Sequence, residues 1–135
     1  MSPSLGWQQS VDFLSNIRSK EECLRKAYDI LTQKYYGNRL KTLTRIYELA
    51  PRSPQAMWQR DGFLHCTNFN RLLRALLLES GQFKENDIKI CWTLLWGISP
   101  HQYMKIRLDD RMINVDLWAK SYGIPFGEYA RGFYA

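Results

Sequence analysis

The sequence predicts an α+β domain in which N-terminal helices and a Cys-bearing helix pack on a small antiparallel sheet. Three observations carry this expectation. Apolar residues recur at helical spacing through the first half, a strongly periodic leucine-rich segment follows near the middle, and three strand-like segments with short turns come after it. At 135 residues and 16.0 kDa the chain fits one domain, 1–135, divided into a helical region over residues 1–60, a core over 61–119 and an irregular tail over 120–135. Its 45% hydrophobic and 14% aromatic content supplies enough core material to exclude wholesale disorder.

In chain order, Trp7, Val11, Leu14 and Ile17 fall along one side of a first helix. Ser19 with Glu22 has the form of a capping box that opens a second helix, in which Leu24, Ala27, Leu31 and Tyr35 line the apolar side until Gly37-Asn38 stops it. Leu40, Leu43, Ile46 and Leu49 mark a third helical pattern, ended by Pro51 and Pro54. Residues 51 to 65 read as a connection. Phe69, Leu72, Leu73, Leu76 and Leu77 then recur at i, i+3, i+4, i+7 and i+8 on a helix that begins near Cys66 and stops at Gly81. Segments 88–96, 101–108 and 111–118 have strand character, and the apolar run from Ile90 to Ile98 reads as a buried strand.

Several function classes are excluded or disfavoured at this level. No run reaches the roughly 18 apolar residues of a membrane span, and the first residues carry no basic segment leading into an apolar stretch, so the expected location is cytoplasmic. Three cysteines, an odd number, argue against a full disulfide framework. The net charge of +6 is concentrated early: residues 1–60 hold 10 basic and 5 acidic groups, residues 61–135 hold 9 and 8. Spread Arg and Lys of this kind read first as a solvated helical face, and second as a surface for nucleic acid or an acidic partner.

The chemistry centres on Cys66. At a helix start, the positive end of the helix dipole favours thiolate over thiol, which makes a nucleophile. Cys23 and Cys91 lack that setting and read as buried small hydrophobes. A thiolate needs a base, and there are two histidines. His65 adjoins Cys66 and is expected to project away from it into a surface or loop position. His101, near the head of a strand, is the better base. If Asp109-Asp110 forms a two-residue turn, Leu108 pairs with Arg111, Tyr103 with Asp116 and His101 with Trp118. His101 and Asp116 are then diagonal neighbours on one face, roughly 7 Å apart at Cβ, a gap two polar side chains can close. Cys66 would attack, His101 would carry the proton and Asp116 would orient the imidazole. Taken singly, His101 reads as a satisfied strand histidine and Asp116 as a strand-end acid bonded to backbone; the conjunction is what points to catalysis. With two His and no closely spaced Cys pair, a zinc ligand set is hard to assemble, and no metal or cofactor is expected.

These residues resemble the transglutaminase-like superfamily of cysteine enzymes. The resemblance rests on His65-Cys66-Thr67-Asn68-Phe69-Asn70-Arg71-Leu72-Leu73 running to Gly81, on His101-Gln102-Tyr103-Met104-Lys105-Ile106, and on Ile113-Asn114-Val115-Asp116-Leu117-Trp118. It covers residues 61 to 119. The order matches, with 101 minus 66 giving 35 residues and 116 minus 101 giving 15. Leu64 stands where many members have Gly, Tyr103 where many have Trp, and Leu117 where Pro is common. The resemblance implies a papain-like core and an oxyanion site built from the Cys66 backbone N–H and an upstream aromatic donor, for which Trp58 and Tyr36 are the candidates. It further implies acyl transfer through a thioester on a protein or peptide amide, released by water in a peptidase or amidase or by an amine in a transferase. The competing expectation is a non-catalytic module of the same fold that uses its basic helices to bind nucleic acid or an acidic protein.

Overall fold

The structure, a computed structural model, describes residues 6–38, 41, 53–59, 61–97 and 99–130. Helix α1 (Trp7–Ser15) buries Val11 and Leu14, with Trp7 and Ile17 packed at its ends. Helix α2 (Lys20–Lys34) starts where Ser19 accepts a hydrogen bond from the Glu22 backbone N–H at 3.3 Å, satisfying one of the donors a helix start leaves open. Cys23, Leu24, Ala27, Tyr28 and Leu31 form its buried face. The helix ends at Lys34, before Gly37, because Tyr35–Tyr36 leave it as strand β1. The helical pattern at Leu40 to Leu49 lies outside the described residues.

The stretch expected to be a plain connection contains two short elements. Pro54 opens helix α3 (Pro54–Trp58): Ser53 caps the start and accepts from the Ala56 N–H, and a proline is tolerated in a first turn that has no use for its missing donor. Strand β2 (Gly62–Phe63) then pairs in parallel with β1, Tyr35 opposite Gly62 and Tyr36 opposite Phe63. Helix α4 (Cys66–Glu79) is the centre of the fold and packs against α1, α2 and α3, and against the sheet. Phe69, Leu72, Leu73, Leu76 and Leu77 are fully buried on it. Burial of such side chains stabilises by roughly 1.5–3 kcal/mol each, which anchors Cys66 to a deeply packed helix. Gly81 takes the left-handed conformation at φ +80° just past the helix end.

Strands β3 (Ile88–Leu95), β4 (Ser99–Arg107) and β5 (Met112–Val115) form an antiparallel sheet in that order. The Leu108 N–H donates to the Arg111 carbonyl at 2.7 Å across Asp109-Asp110, so the two-residue turn forms and Met104 faces Val115, Ile106 faces Ile113. Strand β4 begins at Ser99, two residues before the expected start, and β5 ends at Val115 because Asp116 turns to accept from the Ala119 N–H and starts a 3₁₀ turn over Trp118–Tyr122. The apolar run on β3 is not buried as expected. With β3 at the sheet edge, Ile90, Trp92, Leu94 and Trp96 stand 40%, 59%, 52% and 44% exposed. Among the described residues no helix is long and apolar enough to cross a membrane.

Candidate active site

Cys66 opens α4 and packs half-buried at the margin of the core. Its Sγ accepts the backbone N–H of Gln102 on β4 at 3.5 Å. The next residue back, His101, is 2% exposed, and its Nε2 lies 2.5 Å from Asp116 Oδ2. A carboxylate only accepts, so Nε2 carries a proton and Nδ1 is the nitrogen left for another partner. Burial pulls the imidazolium down, but the Asp116 hydrogen bond, then a side-chain hydrogen bond to Cys66 and the charges of both, outweigh it and push His101 up to about 9. The imidazole thus pairs with Asp116, and the nearby Cys66 thiol adds to the preference for its cationic form.

Asp116 is 3% exposed and saturated with donors. Oδ1 accepts from the Ala119 N–H at 3.2 Å, and Oδ2 accepts from the Ala130 N–H at 2.9 Å as well as from His101. The donor from Ala130 belongs to the segment after the 3₁₀ turn, which also lays Tyr129 flat on Tyr103 at 3.9 Å between ring centres. Beneath the acid, burial and then the Asp116 charge push the Tyr28 phenol up to about 12, and its buried hydroxyl has no hydrogen-bond partner among the described residues.

Trp118 closes the other side. Its ring centre is 5.1 Å from that of His101, and the indole is 3% exposed. Gly37 makes this possible, since a Cβ there would stand 2.5 Å from the Trp118 ring and from its backbone oxygen. Gly37→Ala is therefore expected to lower stability by about 1–3 kcal/mol by displacing the indole from its place beside His101. Urea unfolding followed by tryptophan fluorescence reads this effect. A loss under about 0.5 kcal/mol would mean that Trp118 yields freely and does not hold the ring.

The other sequence candidates are placed as follows. Cys23 is fully buried, as expected, and burial pushes its thiol up while the Ser80 hydroxyl at 4.0 Å pulls part of that back. Cys91 is not buried: it is half-exposed on β3, because an edge strand leaves one flank open. His65 is not at the surface either. It is 1% exposed in the N-cap position, with its ring 4.9 Å from that of Phe63, because the pairing of β2 with β1 covers the approach to α4. Trp58 lies in an aromatic cluster with Trp7 at 5.2 Å and Tyr35 at 6.5 Å, and Lys34 rides over its ring. Tyr36 is 38% exposed, and Lys41 donates to its hydroxyl. Gln102 and the backbone donors of Ala119 and Ala130 escaped the sequence reading. Their contribution is made by main-chain N–H groups, which any residue supplies.

Searches against protein-family models, curated proteins and solved structures find no match to this chain.

Proposed function

We propose that the protein is a cysteine-dependent acyl-transfer enzyme of transglutaminase-like, papain-like type, acting on a protein or peptide amide. The observation that supports this reading is the buried His101 imidazole paired with Asp116 at 2.5 Å, with Cys66 at the start of α4 accepting the N–H of the next residue, Gln102. As thiolate, Cys66 attacks the carbonyl carbon and the π electrons pass to oxygen. When the tetrahedral species collapses, the C–N bond breaks and the amine leaves with the proton of the His101 imidazolium, giving a thioester and a neutral imidazole. Imidazole then takes a proton from water or a second amine, which attacks the thioester and restores the thiolate and the imidazolium. Asp116 keeps the ring oriented and its Nε2 protonated throughout. The oxyanion donor is the Cys66 backbone N–H, one of the amides at the helix start that no intrahelical carbonyl takes, with Trp58 or Tyr36 as its upstream partner.

The test is acylation by p-nitrophenyl acetate. The expected result is a burst of p-nitrophenolate equal to the enzyme present, an acetyl group located on Cys66 by peptide mass spectrometry, and no burst from Cys66→Ala. Adding a primary amine then reports whether water or amine takes the acyl group. Acetylation spread evenly over Cys23, Cys66 and Cys91, or its absence, would sink the proposal.

A further inference from the structure

Beside Cys66 lies a cleft of about 470 Å³ lined by Thr67, Asn70, Arg71, Arg74, Ile90 and Gln102. Four of these sit at i, i+3, i+4 and i+7 from Thr67, so they form one stripe of α4 that faces the opening. The cleft adjoins the nucleophile through both walls. Thr67 follows Cys66 in the chain, and Gln102 is the residue whose N–H reaches the sulfur. Asn70 holds the Gln102 side chain in place, its Nδ2 donating to Oε1 at 3.1 Å, and Asn70 is itself 2% exposed.

The charge of this lining is one-sided. Arg71 and Arg74 are its ionised groups and no acid lines it. Arg74 is partly committed to Glu85 at 3.5 Å outside the cleft, whereas Arg71 makes no ion pair among the described residues. Thr67 lines the cleft as well, with its Oγ1 itself buried. Two guanidinium groups match the acceptor oxygens of a carboxylate, which arginine binds in a planar fork. Ile90 offers apolar surface to the chain that carries it.

We infer that this cleft binds a carboxylate of the acyl substrate, so that the amide attacked by Cys66 lies next to an acidic group. The inference rests on the reading of Cys66 as nucleophile, and two measurements separate the two ideas. The first compares iodoacetate with iodoacetamide at Cys66. Both form the same S–C bond and release iodide, and only iodoacetate carries the carboxylate. In the Arg71→Ala/Arg74→Ala double variant the iodoacetate to iodoacetamide rate ratio is expected to fall roughly tenfold, with the iodoacetamide rate nearly unchanged. Lys89→Ala, which removes a charge outside the cleft, leaves the ratio alone. The second measurement does not use the thiol: titration of Cys66→Ala with glutarate is expected to shift the Arg71 side-chain N–H resonance saturably. N-acetylglutamine and N-acetylisoglutamine, titrated in turn, distinguish a chain-terminal from a side-chain carboxylate. An unchanged ratio in the double variant, or no saturable shift, overturns the carboxylate site. Saturable binding by a protein whose Cys66 alkylates no faster than Cys23 or Cys91 keeps the site and removes the catalytic reading instead.

Discussion

Asp116→Ala is expected to lower stability by about 3–5 kcal/mol, the usual consequence of deleting one member of a buried charged pair. The reason is the number of donors that converge on one carboxylate. His101 Nε2 and the Ala119 and Ala130 N–H groups all point at it, and the acid is 3% exposed, so water cannot replace it without opening the structure. Asp116→Asn keeps one carbonyl oxygen, which can serve the donors of one carboxylate oxygen while its NH2 faces those of the other, and loses the charge that faces the imidazolium, so an intermediate loss is expected. Urea unfolding of the three proteins measures this. Acylation of Cys66 should fall with both substitutions, because an unsteered ring presents Nδ1 to the sulfur only part of the time. A stability change below about 1 kcal/mol in Asp116→Ala would show that the segment ending at Ala130 is held by packing alone.

The second large effect concerns pH. His101 is raised from 6.5 to about 9 in the folded protein. A cationic group whose value rises on folding contributes stability that is fully present below the unfolded value and disappears as pH climbs through the folded one. Stability should therefore decline by a few kcal/mol between pH 6.5 and about 9, and His101→Ala should flatten that decline. On the proposed reading, iodoacetamide is expected to label Cys66 ahead of Cys23 and Cys91, and His101→Ala should slow that labelling. Parallel pH profiles for wild type and His101→Ala in either measurement would contradict the coupling.

Periodicity made much of this architecture legible in advance. The leucines of α4 and the apolar faces of α1 and α2 repeat often enough to identify both element and buried side. The meeting of His101 with Asp116 followed from one assumption about Asp109-Asp110, because a turn of fixed length sets the register of the whole hairpin. What stayed hidden has physical reasons too. Strands β1 and β2 have two residues each, too few for any pattern. The apolar run on β3 cannot announce that it lies at an edge, since position in a sheet is set by which strands come to pair. His65 packs against Phe63 on β2, a strand whose partner β1 lies far back in the sequence, and the tail's contribution to Asp116 is a backbone amide with no side-chain signature.

The grip of Ala130 on Asp116 has a consequence for the growing polypeptide. Everything that would perform the chemistry is translated before residue 117, yet the acid finds its last donor only after the segment beyond the 3₁₀ turn has emerged and folded back. A chain that stops short of that point lacks one of the three donors that hold the carboxylate, so on the proposed reading the acid would be held less firmly until that segment is made.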